Sequence, residues 1–173
     1  VYKRNDKIAK GIVKPKIKDS LRIEFVGVGG KAVGYGKFEE IRSKHPDITK
    51  YLAKIPFEEI QTKNKEADLF VFGSTCENMP NILIEAMSSG IPICCSQKQP
   101  VPEFLQEGGL YFDVENPDSI YQCLKKAITN RDLRKNLADV SSSLSKGYSW
   151  QRCSKETFEY ISNCYNKHIN ELN

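Results

Sequence analysis

Two carboxylates, Glu77 and Glu85, flank the seven residues Asn78-Met-Pro-Asn81-Ile-Leu-Ile84, a stretch that reads as the start of a helix. The first backbone N–H groups of a helix lack intrahelical partners and its dipole is positive there, so an anion such as a diphosphate is stabilised. An ionised carboxylate accepts hydrogen bonds on two oxygens, which suits the paired hydroxyls of a ribose or another sugar. Helical spacing puts Asn81, Glu85 and Ser88 or Ser89 on one polar face, and turns Ile82, Leu83, Ala86 and Met87 toward a sheet. Spacing alone fits equally well a solvated loop acid at Glu77 and an exposed helix acid at Glu85.

Other reactive residue types form weaker patterns. The cysteines, Cys76, Cys94, Cys95, Cys123, Cys153 and Cys164, contain no CxxC pair, and only His45 and His168 could assist a metal. Buried reduced thiols are expected, and no metal site. Ser74 follows an apolar run but lacks a Gly-x-Ser-x-Gly frame. Gly27-Val-Gly-Gly-Lys-Ala32 fits the G-x-G-x-x-A of a dinucleotide-binding turn, which would make the chain an NAD-type oxidoreductase domain. Against that, Gly34 and Gly36 interrupt the helix that should receive the pyrophosphate, and no acid ends a clear second strand about twenty residues on.

The elements that must position these groups alternate. Apolar runs at 21–26, 68–72, 91–95 and 110–112 read as strands, and 48–55 contains another short one. Helical spacing covers 37–44, 56–65 and 80–89, the last closed by Gly90. Strand and helix in alternation predict an α/β fold, a Rossmann-like parallel sheet flanked by helices. Three further helices follow at 117–129, 131–146 and 149–170, the second capped by Asn130, and should pack on the α/β core as a helical tail.

The 173 residues suit one domain with a core of its own, and 39% hydrophobic with 28% charged content is ordinary for a globular protein. No run is long and apolar enough to span a bilayer, and residues 1–18 lack the apolar stretch of a signal peptide, so a cytoplasmic chain is expected. Residues 1–22 hold eight Lys or Arg against Asp6 and Asp19, a net +6, which leaves −2 for the remainder of a chain of net +4. This end reads as a solvated tail or as something that meets an anion. Nucleic acid is disfavoured, since the basic stretch offers only Tyr2 for base stacking.

The wider wording narrows these readings. Ala67-Asp-Leu-Phe-Val-Phe-Gly-Ser74, followed by Glu77-Asn-Met-Pro-Asn-Ile-Leu-Ile-Glu-Ala-Met-Ser-Ser-Gly-Ile-Pro92, resembles the donor-site region of family 4 glycosyltransferases and their GT-B relatives, with their E-x7-E pair. The likeness continues through Ser96, Pro102-Glu103, Leu110-Tyr-Phe-Asp113 and Asn116-Pro117, and Tyr148-Ser-Trp150 is similar to the "FSW" that opens the family's final helix. It covers about 21–160.

The resemblance implies one GT-B half, the nucleotide-sugar-binding C-terminal domain, with the acceptor-binding N-terminal domain outside residues 1–173. It implies that Glu85 binds ribose hydroxyls, that Glu77 acts on the transferred sugar, and that Asn78, Met79, Pro80, Asn81 and Ile82 offer backbone amides to sugar and phosphate. The family's early "GR…KG" loop clamps the diphosphate, and Arg4 and Lys10-Gly11 have similar spacing, although only ten positions separate Ile12 from Arg22, too few for the long helix that follows in the family. Ile55 resembles the backbone site for the nucleobase, and Gly29 and Gly30 the glycine turn. Gln99 and Pro100 stand where many members have glycines, so sugar identity is not readable. The implied reaction moves a hexose from a nucleoside-diphosphate sugar, such as a UDP-sugar, to a glycan or lipid hydroxyl, with retention of configuration and no metal or other cofactor. Polysaccharide or glycolipid biosynthesis would bring the chain to the inner face of the membrane as a peripheral partner. Without its acceptor half it should bind donor and transfer little. The remaining alternative is a noncatalytic Rossmann-like interaction module, which would bind no nucleotide.

Overall fold

A computed structural model describes residues 4–14, 21–26, 34–52 and 55–172. The α/β expectation holds. Strands β1 (Ile23–Val26) and β2 (Thr49–Leu52) pair in parallel. Strands β3 (Phe70–Phe72), β4 (Ile93–Ser96) and β5 (Gly109–Phe112) form a second parallel ladder in that order, with Phe70 opposite Ile93 and Ile93 opposite Gly109. Helices α2 (Tyr35–Lys44), α3 (Phe57–Glu66), α4 (Asn81–Ser88) and α5 (Val101–Leu105) lie between the strands; the Gln99–Pro100 peptide before α5 is cis.

Strand β4 is buried along its whole length, and its alternation divides the interior into two clusters. Cys94 joins Phe112, Ile120, Leu124 and Phe25 on one face; Ile93 and Cys95 join Phe72, Leu83, Met87 and Leu105 on the other. A strand covered on both faces needs apolar residues at every position, which explains its continuous run.

The basic N-terminal stretch departs from expectation. Residues Asn5–Ile12 form a helix, α1, rather than a tail, and bury Ile8, Ala9 and Ile12 against α2 and α6 (Pro117–Thr129). Gly11 permits this approach: a Cβ there would sit 2.9 Å from Ile120 Cγ2 and 3.1 Å from the Pro117 carbonyl. Lys10-Gly11 therefore lies inside a helix and not in a loop.

The C-terminal helices divide. Asn116 caps α6 by accepting from the N–H groups of Asp118 and Ser119, and Asn130 caps α7 (Arg131–Ser145) by accepting from Leu133, as its sequence position predicts. Both pack on the core. Helix α8 (Trp150–Leu172) does not: residues 150–169 are exposed throughout, including Phe158, Tyr160, Ile161 and Tyr165. The expected packed tail thus ends with α7. The cysteine expectation holds for half the set: all six thiols are free, with Cys94, Cys95 and Cys123 buried and Cys76, Cys153 and Cys164 exposed.

Replacement of Gly11 by Val should destabilise the chain by roughly 1–3 kcal/mol through overpacking against Ile120. Replacement of Gly36 by Ala, where a Cβ meets nothing within 4 Å, should stabilise it by up to about 1 kcal/mol. Urea titrations of the two variants should therefore shift the midpoint in opposite directions.

Candidate functional site

The chain leaves β3 at Phe72, and Gly73 and Ser74 are buried immediately beyond it. Ser74 Oγ donates to the Cys76 carbonyl at 3.3 Å, folding the loop back on itself. Pro80, also buried, sits at the N-cap of α4, where its carbonyl accepts from Leu83 and Ile84 but its side chain can cap nothing. No acidic residue occupies the first turn. The positive end of α4 therefore opens at the C-terminal edge of the parallel strands without a built-in anion, at the place where open α/β sheets receive ligands.

Leu83, Ala86 and Met87 fill the core beneath α4. Ile82, expected among them, is instead 41% exposed, since its position a third of a turn away carries it to the flank of the helix. Asn81 and Glu85 point outward, on the side opposite the core. Burial without a charged neighbour raises the Glu85 carboxyl above its ordinary range, and among the described residues no hydrogen bond or ion pair to that carboxylate is present. Glu77 is half-buried in the loop ahead of α4.

A groove of about 960 Å³ runs along this outer side. Met79, Asn81 and Glu85 form one wall, and Tyr148, Trp150 and Tyr160 contribute another from the loop after α7 and the first half of α8. Ser149 holds the turn between the walls, its Oγ accepting from the Arg152 N–H at 3.1 Å. Glu77, Asn78, Pro80 and Ile82 belong to the same loop and first turn but lie outside the lining. The aromatic wall was not legible as part of a site: Tyr148-Ser-Trp150 signalled a helix start, and only folding brings it beside Glu85.

The remaining sequence candidates are dispersed. Arg4 precedes α1, and its backbone N–H donates to the Gly73 carbonyl at 3.1 Å, so it stands at the same strand edge. Its guanidinium meets Glu115 at 2.7 Å and Asp6 at 3.3 Å. Lys10 is exposed on α1, directed toward α2; with Lys44 as the main cause, it helps hold the Glu40 carboxyl below its usual range. Ile55 is half-buried between β2 and α3. Gly29 and Gly30, with the dinucleotide-like pattern Gly27–Ala32, lie outside the described residues. Among the described residues no group of three or more His, Cys, Asp or Glu is placed to hold a metal ion, and no helix is long and apolar enough to cross a membrane.

The family model described as glycosyl transferases group 1 matches residues 9–141. The O-antigen chain mannosyltransferase B of Escherichia coli is 28% identical over 108 residues, which is 62% of this chain and 28% of that one. The chain spans 28% to 32% of the length of the first curated relatives it matches. Among solved structures, sucrose-phosphate synthase from Thermosynechococcus elongatus superposes with a TM-score of 0.82 at 13% identity, over 95% of this chain and 43% of that one. The Anabaena protein HepE, solved in complex with UDP and glucose, superposes with a TM-score of 0.73 at 15% identity, over 92% of this chain and 44% of its own. Both likenesses establish the fold, that of one half of the GT-B architecture.

The burial of Glu85 has a measurable consequence for stability. A carboxyl whose pKa is higher in the fold than in the unfolded chain favours folding in acid, and that contribution is lost as pH rises through the raised pKa. Glu85→Gln should therefore melt above the parent at pH 7, with the gain narrowing as pH falls into the carboxylate range. Thermal unfolding of both proteins between pH 4 and 7 reads the difference directly, and an advantage that widens in acid contradicts the assignment.

Proposed function

The chain belongs to the glycosyl transferases group 1 family, and from that membership we propose that it is the donor-binding half of an enzyme that transfers a sugar from a nucleoside diphosphate to a hydroxyl. The observation that carries this reading is the start of α4, which has no side-chain cap, with the half-buried Glu85 beside it and without a partner among the described residues. A partly desolvated carboxylate costs stability unless something hydrogen-bonds to it. Ribose hydroxyls do so with two donors, and the diphosphate carried on C5′ of the same ribose would then meet the first turn of α4.

In this reading Glu85 accepts from the ribose, the backbone N–H groups between Asn78 and Ile82, of which Pro80 has none, donate to sugar and phosphate, and Glu77 orients the transferred sugar. Negative charge grows on the diphosphate as the glycosidic bond breaks, so donors aimed at it before reaction act where they are most effective. The dipole of α4 and Arg4 supply positive charge without requiring a metal, while Lys10, expected beside them, is turned toward α2. Ile55, Gly29 and Gly30 complete the nucleotide contacts. No protein nucleophile is assigned; the configuration is retained. The acceptor, a glycan or lipid hydroxyl, meets the donor through the partner domain, on the cytoplasmic side and at the membrane face for a lipid. Family membership leaves no role for an oxidoreductase reading of Gly27–Ala32.

The UDP held by the Anabaena neighbour makes a UDP-sugar the first donor to test. Calorimetric titration of the chain with UDP, GDP, ADP and their sugars should show one nucleotide binding. Glu85→Ala should weaken it by roughly 1.5–3 kcal/mol, the value of a hydrogen bond to a charged group. Absence of nucleotide binding, or indifference to Glu85→Ala, would favour a noncatalytic interaction module.

A further inference from the structure

Two cations stand at the C-terminal edge of the β3-β4-β5 ladder with one acid between them. Arg4 is tied there through its backbone bond to Gly73, directly after β3. Its Nη1 meets Glu115 Oε1 at 2.7 Å. Lys7, at the start of α1, reaches Glu115 Oε2 at 3.7 Å and donates to the Glu115 carbonyl at 3.3 Å. Glu115 follows β5 by three residues, so all three groups share the edge at which α4 begins.

The two acids near Arg4 differ in kind. Asp6 is 3% exposed and packs so closely on Gly34, at the start of α2, that a Cβ there would come within 2.7 Å of its carboxyl. Asp6 is part of the interior and cannot leave Arg4 without opening the α1–α2 contact. The Glu115 side chain is 44% exposed, on the loop between β5 and α6, and its backbone is held separately by its N–H donating to Asp113 Oδ1. It can turn to solvent while the loop stays in place. With Glu115 turned away, Arg4 and Lys7 present a fork and a point charge side by side, a pairing suited to phosphate oxygens.

We propose that Glu115 is a resident stand-in for phosphate: it holds Arg4 and Lys7 together in the empty site and yields them to the phosphate groups of a nucleoside diphosphate. The exchange replaces one anion with another, so Lys7 and the Arg4 Nη1 that Glu115 releases pass directly to phosphate oxygens while Asp6 keeps Arg4 Nε. Glu115 thereby lowers phosphate affinity and keeps both cations oriented. This inference rests on the donor-site reading above, and adds Lys7 and Glu115 to it.

The test is calorimetric titration of the chain with inorganic pyrophosphate, UDP and uridine. Glu115→Gln keeps the Lys7 bond to the backbone and should tighten pyrophosphate and UDP binding roughly two- to fivefold, the scale of a partly exposed ion pair. Uridine binding should not change. The gain should vanish when Arg4→Gln is combined with it, and Lys7→Gln alone should weaken pyrophosphate binding while melting like the parent. If Glu115→Gln binds pyrophosphate no more tightly than the parent while UDP still binds in a Glu85-dependent manner, the stand-in role is wrong and the donor site survives. If neither UDP nor pyrophosphate binds any of these proteins, both readings fall.

Discussion

Complete burial of β4 is the constraint on which the other elements depend. Ile93 through Ser96 have no solvent-facing side, so both clusters are built outward from one four-residue strand. Parallel pairing with β3 and β5 then sends all three C-terminal ends the same way, and their exits converge. The convergence is tied by backbone bonds: Gln97 donates to the Phe112 carbonyl at 3.0 Å, and Lys98 donates to Ser96 Oγ at 3.2 Å. A hydroxyl buried at the last position of β4 thus organises the loop it leads into.

The loops at that edge are fixed to different degrees. Asn116 and Asn130 cap the first turns of α6 and α7 with their side chains, whereas α4 starts without a side-chain cap, its Asn81 N–H donating to the Met79 carbonyl and its Leu83 N–H to the Pro80 carbonyl. Glu85 sets a desolvated acid beside that turn. A helix start without a side-chain cap and a half-buried carboxylate without a partner among the described residues work against folding, and such local conflicts are characteristic of sites that bind something. The core beneath α4 compensates through Leu83, Ala86 and Met87, none of which has any exposed surface.

Much of this was legible in the residues. The segment 91–95 is apolar without interruption because β4 within it is covered on two faces, 69–72 is apolar as its neighbour in the ladder, and the Asn caps of α6 and α7 are visible one position ahead of their helices. Helix α1 was hidden because its buried face is narrow, Ile8, Ala9 and Ile12, and lysines at 7, 10 and 14 dominate the composition around it. Ile82 was misplaced because two turns of helix have little room for an error of one position. The groove was out of reach for another reason: Glu85 and Trp150 are distant in sequence, and neither periodicity nor motif reports a long-range encounter. Helix α8 shows the limit of amphipathic pattern, which identifies an apolar face without naming what covers it.

Trp150 is the chain's sole tryptophan, stands 74% exposed, and lines the groove opposite Glu85. Intrinsic fluorescence therefore reports almost nothing about the two buried clusters, and an unfolding curve followed at that wavelength describes α8. The same placement makes the indole an optical probe of groove occupancy that needs no label. Emission and circular dichroism will follow different parts of this molecule, and their disagreement measures how independently α8 behaves from the body that carries it.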